Sequence, residues 1–308
     1  MHDTELSLLI DAAVARIRRD LEHAAPFMAG HATHWMEHLA DGAPEAYFKH
    51  PLGFPMLLLP WWLEKAIHDN PDLVFHGDLV HSTVNGYYYV RLMDNLMDGH
   101  ATVELHLLPV LGFFHTQFQA AYQRYFDHAH PFWDDFKAIW FRSAEVTIQD
   151  ALLEDIDGAQ FEQIAAQKTC AVKIPLAAVC HRYDRQDLIA PWSDLVDLFG
   201  CWHQMWNDVF GWIQDTRHST TTHFLSEAER RKGPTETATE WILREGMDWG
   251  IDCLQPWMDR MQAMARDLGS EDLVTYLDGR QTMLLDQRQS LDAGLRSAAD
   301  LLDRLSES

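Results

Sequence analysis

Two segments of the sequence carry polar side chains at the spacing of one helical turn. Asp94 and Asp98 are four residues apart, so on an α-helix they point within about 40° of each other. Their neighbours are leucine and methionine, which leaves two carboxylates on an otherwise apolar helix. Carboxylate oxygens are ligands that Mg²⁺ prefers. The spacing indicates a divalent-cation site, although an isolated pair of this kind is also typical of a solvated helix face.

The second segment contains Asn207, Gly211 and Asp215 at positions i, i+4 and i+8, within a run rich in tryptophan, phenylalanine and valine. A glycine inside a helix costs about 1 kcal/mol relative to alanine. A helix that tolerates this loss often lets another group approach its backbone. We therefore expect the polar stripe to face a ligand, with a solvated surface as the simpler alternative.

Together the two segments resemble the metal-binding motifs of the class I isoprenoid synthase superfamily. That group comprises trans-prenyltransferases, squalene and phytoene synthases, and class I terpene cyclases. Asp94 and Asp98 are similar to the first motif, DDxxD or DxxxD, with Asn95 in place of the second aspartate of the former. Residues 207–215 are similar to the NDxxSxxxE motif of terpene cyclases, and the resemblance as a whole covers about residues 74–235.

The resemblance implies a set of metal ligands. In the family, the two motifs bind three Mg²⁺ ions around a diphosphate. Carried over residue by residue, the ligands here are Asp94, Asp98, Asn207 and Asp215. Gly211 stands where the family has a serine ligand, so a water molecule is expected to act at that position.

Basic residues near the second motif extend the resemblance. Lys168-Thr169 is similar to the Lys-Thr pair of prenyltransferases, whose lysine contacts the diphosphate. Gln204 resembles the glutamine that precedes their second motif, and Arg217 resembles the basic residues that follow it. This implies that Lys168 and Arg217 bind the substrate diphosphate and stabilise the charge that grows on it as it leaves.

Loss of diphosphate produces an allylic carbocation, which needs a dry cavity without nucleophiles. A cation over a desolvated aromatic face gains about 2 kcal/mol. We expect Tyr87, Trp202 and Trp206 to contact the substrate, although core packing is the commoner role of such residues. The other aromatic candidates are Phe54, Trp61, Trp62, Tyr88, Phe113, Phe114 and Phe118.

The arginines that chain-elongating prenyltransferases use for a second diphosphate have no counterpart after the first motif, which continues Gly99-His100-Ala101-Thr102. A terpene cyclase acting on farnesyl or geranylgeranyl diphosphate is therefore favoured. Two alternatives stay open. One is a head-to-head condensing enzyme of the squalene or phytoene synthase type, and the other is a non-catalytic isoprenoid-binding homologue.

Helical periodicity dominates the chain, and alternating β-patterns are scarce. We predict an all-α fold, with residues 1–308 forming one large bundle around a central substrate cavity, as in class I terpenoid synthases. Predicted helices include 73–99, 160–181 and 187–216, and the polar stretch 217–240 is the best loop candidate.

His31, His34 and His38 share one helix face, but with 18 histidines in the chain this spacing is expected by chance.

Composition restricts the partners. With 24 basic and 47 acidic residues the net charge is −23, which disfavours nucleic acids and anionic membranes. The same negative charge would repel a diphosphate unless metal cations bound with it.

We predict a cytoplasmic protein without membrane insertion. The four cysteines form no CxxC pair, the N-terminus is unlike a signal peptide, and there is no long apolar run. Homodimers are common in the superfamily, and a homodimer is compatible with this sequence.

Overall fold

The structure is a computed structural model that describes residues 3–51, 53–68, 70–97, 105–169 and 172–306, with side chains described up to residue 291. Of the residues described, 82% are helical, and none lies in a strand. The predicted all-α fold is confirmed. The α-helices are α1 (Thr4–Ala24), α2 (Pro26–Leu39), α3 (Pro44–Phe48), α4 (Leu58–Ile67), α5 (Leu73–Met97), α6 (Leu108–Tyr122), α7 (Phe132–Ala151), α8 (Gly158–Lys168), α9 (Lys173–Arg182), α10 (Ile189–His218), α11 (His223–Arg231), α12 (Ala238–Trp241), α13 (Met247–Asp267) and α14 (Glu271–Ser306).

The chain divides into two compact units. The first unit contains Met1–Ala144 and Cys170–Ser193, and the second contains Glu145–Thr169 and Asp194–Ser308. Helices α7 and α10 each begin in the first unit and end in the second. The assignment of residues 1–308 to one synthase-like domain stays a prediction.

Helix α5 is the centre of the first unit and packs against α1 and α6. It is buried on several faces, since polar residues such as His81, Ser82 and Asn85 are as inaccessible as its apolar ones. The run of three tyrosines, 87–89, is β-prone by composition but lies inside this helix. Tertiary packing overrides local propensity there.

Asp78 is a buried charge of the first unit with three hydrogen-bond partners. It is 5% exposed and accepts hydrogen bonds of 2.9 Å from Arg16, from Arg124 and from the hydroxyl of Tyr125. Burial alone would raise the pKa of Asp78, but these hydrogen bonds outweigh it and hold the pKa below its usual value. The carboxylate thus ties α1 to α5 and to the end of α6.

Glycines allow close helix packing in the second unit. A Cβ on Gly200 of α10 would lie 2.5 Å from the carbonyl oxygen of Ala165 in α8. A Cβ on Gly250 of α13 would lie 2.5 Å from the Val209 side chain of α10. Only glycine permits these two approaches without displacing a neighbour, so they set how α8 and α13 lie against α10.

Two local predictions from the sequence were wrong. Residues 160–181 are not one helix, because α8 ends at Lys168 and α9 begins at Lys173. The stretch 217–240 is not a loop throughout, because it contains α11. Thr222 caps the start of that helix by accepting a hydrogen bond from the Leu225 amide, and ion pairs from Glu227 to Arg230 and Arg231 support it.

Within the described part of the chain, none of the helices combines the length and the apolar character needed to cross a bilayer.

We expect Asp78→Asn to lower the free energy of unfolding by about 2–3 kcal/mol at pH 7, because the variant weakens charge-assisted hydrogen bonds to a buried group. The folded-state pKa of Asp78 lies below the unfolded value of about 3.9. The stabilisation is therefore fully present above about pH 5 and is lost as the pH falls through the folded-state pKa. Urea unfolding at several pH values measures the difference.

The matched control is Asp134→Asn, which removes an ion pair to Lys137 from an aspartate whose side chain is 88% exposed. It should change the stability by less than about 0.5 kcal/mol. If Asp78→Asn is as stable as this control, the Asp78 carboxylate does not stabilise the packing of α1 against α5.

Candidate functional site

A cavity of about 500 Å³ lies in the second unit. It is bounded by the end of α7, by α8, by the middle of α10 and by the start of α11. The residues that line it are Asp150, Ile156, Phe161, Ile164, Ala165, Lys168, Gln204, Trp206, Asn207, Asp208, Phe210, Gly211, Gln214, Asp215, Thr220, Thr221, Thr222 and His223. Its size is that of a small-molecule site, and its wall combines aromatic side chains with a few charged ones.

Helix α8 carries Lys168 to the cavity. The helix starts at a capping box, in which Asp157 accepts from the Gln160 amide at 2.8 Å and the Gln160 side chain accepts from the Asp157 amide at 3.0 Å. Lys168 is its last residue, where a cation interacts favourably with the helix dipole. The ammonium forms an ion pair with Asp150 of α7, and both side chains are about a quarter to a third exposed.

Helix α10 contributes two carboxylates. Asp208 is 3% exposed and accepts a 2.7 Å hydrogen bond from the Gln204 amide one turn earlier. Burial raises the pKa of Asp208 to about 7 despite this hydrogen bond, and the nearby charge of Asp215 raises it further. Burial also raises the pKa of Asp215. A cation in the cavity would therefore favour the ionised form of both carboxylates.

Gly211 lies between these carboxylates and leaves space. A Cβ at this position would have the Oδ2 atom of Asp215 as its nearest neighbour, 3.7 Å away. That is an ordinary van der Waals separation, so the backbone packing does not require glycine. Asn207 also lines the cavity, but its side chain is exposed, in contrast to that of Asp208.

The apolar part of the wall is aromatic. Trp206 and Phe210 lie one turn apart on α10, with ring centroids 4.6 Å apart, and both line the cavity. Trp202 lies one turn earlier, with its ring 5.2 Å from that of Trp206. It is fully buried and is not among the lining residues.

Part of the cavity wall is formed where the loop before α8 meets α11. The Nδ1 atom of His223 lies 2.9 Å from the carbonyl oxygen of Ile156, and the Ile156 amide donates to the Ser226 hydroxyl at 3.1 Å. Arg230 fixes the same loop through Asp155 at 2.7 Å. Both the amide and the carbonyl of Ile156 are thus bound to α11.

Several residues predicted from the sequence meet at this cavity. Lys168 comes from α8, and the other four come from α10. Those predicted residues that line the cavity together are Lys168, Trp206, Asn207, Gly211 and Asp215. Arg217, in the last turn of α10, is exposed and is not a lining residue, so its contact with a diphosphate stays a prediction.

The remaining predicted residues belong to the first unit. Asp94 is half-buried, and its Oδ2 atom accepts a 3.2 Å hydrogen bond from Arg91 on the same helix. Tyr87 packs against Phe48, and its hydroxyl forms a short hydrogen bond with that of Tyr47. Asp98 lies outside the described residues. The meeting of the first motif with Asn207 and Asp215 stays a prediction.

The donor set of the cavity fits Mg²⁺ in chemical type. Asn207, Asp208 and Asp215 can each offer an oxygen atom, and the two carboxylates, whose pKa values are raised, would gain from a nearby cation. No cluster of three or more histidine, cysteine, aspartate or glutamate residues arranged for a metal was found in the part of the chain that the structure describes. If a metal bound here, these three residues would be an incomplete ligand set.

Sequence reasoning missed three residues of the site as functional candidates: Asp150, Asp208 and His223. Asp208 could have been found from helix geometry. On an α-helix, residues seven apart differ by about 20° in direction, whereas residues eight apart differ by about 80°. Asp208 therefore shares the face of Asp215 more closely than Asn207 does. Asp150 and His223 lie on other elements, and no local pattern connects them to α10.

No protein-family model matches the sequence, and no curated protein matches it either. The case for a function therefore depends on the cavity and on the motifs that line it. A lysine, one buried and one half-buried carboxylate and an aromatic wall can together bind an ionic head group that is joined to an apolar body.

We expect Gly200→Ala to destabilise the protein by about 1–3 kcal/mol and to displace Lys168, because the new methyl group would meet the Ala165 carbonyl oxygen, a backbone atom that cannot rotate away. Thermal unfolding measures the first effect, and the affinity for inorganic pyrophosphate with Mg²⁺ measures the second.

Gly279→Ala is the control. Gly279 lies in α14, and a methyl group added there would have no neighbouring atom within 4 Å, so alanine should stabilise the helix by up to about 1 kcal/mol. If both variants behave alike, the close approach of α8 and α10 does not position the site.

Proposed function

We propose that this protein is a magnesium-dependent terpene cyclase that releases diphosphate from a linear isoprenyl diphosphate and cyclises the resulting carbocation. The observation that supports this most is the shared cavity of Lys168, Asn207, Asp208 and Asp215. The sequence motifs predicted three of these residues for one site, although they lie on two helices. The substrate class is farnesyl or geranylgeranyl diphosphate.

Lys168 is proposed to bind the diphosphate. Its ammonium is paired with Asp150, which balances its charge within the cavity. An incoming phosphate oxygen would compete with Asp150 for the same ammonium. In the proposal, Lys168 stabilises the negative charge that develops on the leaving diphosphate, an effect that is larger in a partly buried site than in water.

Asn207, Asp208 and Asp215 are proposed to hold Mg²⁺, with Asp94 and Asp98 as the ligands of the first motif. Bound Mg²⁺ would neutralise phosphate charge and so make diphosphate a better leaving group. Gln204 keeps the Asp208 carboxylate in one orientation through its 2.7 Å hydrogen bond. Water is proposed to act where Gly211 replaces a ligand side chain.

The apolar wall is proposed to receive the hydrocarbon chain. Trp206, Phe210 and Phe161 present ring surfaces to the cavity and offer no nucleophilic atoms. Ring faces also stabilise a positive charge on carbon by about 2 kcal/mol when water is excluded. These properties suit a reaction that passes through a carbocation.

A non-catalytic isoprenoid-binding protein is the second candidate. It is favoured by Gly211, which removes a ligand side chain from the second motif, and by Asn95, which replaces an aspartate of the first. A head-to-head condensing enzyme also remains open. The same experiment separates these three functions.

The test is incubation of the purified chain with Mg²⁺ and geranyl, farnesyl or geranylgeranyl diphosphate, followed by measurement of released diphosphate and of products by mass spectrometry. We expect release with one chain length and a cyclic product with the same carbon number as the substrate. A product of doubled carbon number would indicate the condensing enzyme. Tight binding without release would indicate the binding protein.

Lys168→Ala should reduce diphosphate release by about 10-fold or more, because a charge-assisted contact to the phosphate is lost. Lys137→Ala is the matched control, since this lysine is 61% exposed and lies outside the cavity.

Asp94→Ala, assayed in parallel, tests the first motif and should abolish turnover. Circular dichroism verifies that each variant remains helical. Unchanged kinetics in Lys168→Ala would remove the proposed phosphate contact.

Gly211→Ser should fold normally, because the cavity has room for the side chain. In the proposed enzyme it would add a metal ligand and lower the Mg²⁺ concentration needed for half-maximal activity by about threefold or more. Gly211→Ala is the control, which fills the same space without an oxygen. If serine and alanine give the same Mg²⁺ dependence, this position is not a metal ligand site.

A further inference from the structure

His223 has an unusual position in the cavity. It is 7% exposed, it lines the cavity, and it is the first residue of α11 after the capping residue Thr222. Its ring stacks on Phe161 with centroids 4.9 Å apart and an interplanar angle of 26°. The ring of Trp249 meets it edge-on at 5.9 Å. These contacts hold the imidazole in one orientation.

The hydrogen bond to Ile156 determines which ring nitrogen carries the proton. A carbonyl oxygen can only accept, so Nδ1 must be the donor in the 2.9 Å contact with Ile156. In the neutral ring, Nε2 then bears the lone pair. Among the described residues, none forms a hydrogen bond with Nε2. A basic nitrogen of a nearly buried side chain at a ligand cavity thus has no protein partner in the described part of the chain.

We propose that His223 is a catalytic base that removes a proton from the carbocation formed in this cavity. The inference rests on the proposed function, because it needs that cation. The Nε2 lone pair forms a bond to a proton on the carbon next to the cationic carbon. The electrons of the broken C–H bond become the second bond of an alkene. The imidazolium then gives its proton to water, so no other reactant is required.

The surroundings of His223 suit this role. A hydrogen bond from Arg230 is the main cause that lowers the pKa of Asp155. Burial raises the pKa of Glu227, but hydrogen bonds from Arg231 and Arg230 outweigh it. A charge on His223 lowers the pKa of both carboxyl groups a little further, so both carboxylates would stabilise the imidazolium that forms. The charges that act on Asp208, by contrast, are those of Asp215, Lys168 and Asp150. His223 thus interacts with a different set of charges from those that act on Asp208.

The decisive variant is His223→Asn, in which the amide nitrogen takes the place of Nδ1 and can still donate to the Ile156 carbonyl, while the basic nitrogen is lost. Product yield is counted per diphosphate released, because ionisation does not need the base. The yield of the wild-type alkene should fall by about 10-fold or more, with isomeric alkenes or alcohols in its place. His128→Asn, an exposed histidine outside the cavity, is the control.

An unchanged alkene profile in His223→Asn would overturn the proposal. So would a wild-type product that is an alcohol whose formation depends on His223, because the residue would then activate water. His223→Phe serves as a second variant that keeps the stacking on Phe161, and a thermal melt of each variant shows whether α11 remains folded.

A measurement without turnover separates this proposal from the proposed function. The probe is a farnesyl dimethylammonium ion, whose N–H⁺ group imitates the proton donor. In ¹⁵N NMR we expect an unprotonated Nε2 whose resonance shifts when the probe binds, and an affinity about fivefold or more weaker in His223→Asn. If the probe behaves in this way but no diphosphate is released from any substrate, the cyclase proposal fails and the accepting role of His223 stands. A protonated Nε2, or equal affinity in both proteins, would refute that role.

Discussion

The close approach of α8 to α10 is the constraint on which the candidate site depends. Gly200 allows the backbone of α8 to come within reach of α10, so that Lys168 and the carboxylates Asp208 and Asp215 line one cavity. The side chain of a larger residue at position 200 would meet the Ala165 carbonyl oxygen, a backbone atom that cannot rotate away as a side chain can. The electrostatics of the cavity therefore follow from a steric condition at a residue that has no chemistry of its own.

Charge within the cavity is arranged in pairs and small groups. Lys168 is balanced by Asp150, and Asp208 is oriented by Gln204. Lys168 and Asp208 are thus held in place, which would reduce the reorganisation that ligand binding needs. An acidic chain with a net charge of −23 would repel an isolated diphosphate. In the proposed function, Lys168 together with Mg²⁺ on the carboxylates would offset this repulsion.

The part of the cavity wall formed by Ile156 and His223 depends on hydrogen bonds between a loop and the start of α11. Ile156 is bound through its amide and its carbonyl, and the second of these bonds fixes the tautomer of His223. The same bond therefore has a structural and a chemical consequence. It attaches the loop to α11, and it leaves the basic nitrogen of a nearly buried ring at a cavity whose other aromatic residues have no basic group.

The order of residues alone was enough to predict the helical class and the local stripe of Asn207, Gly211 and Asp215, because both follow from periodicities within one helix. It also identified Lys168, through a resemblance rather than through geometry. The polar stretch 217–240 was predicted as a loop because that reasoning did not weigh the Thr222 cap and the Glu227 ion pairs that support α11. Helix packing was needed to show that Asp150 and His223 join the site and that Asp208 is buried while Asn207 is exposed. These facts depend on which helices pack together, and such contacts between residues distant in sequence leave no periodic signal in the chain.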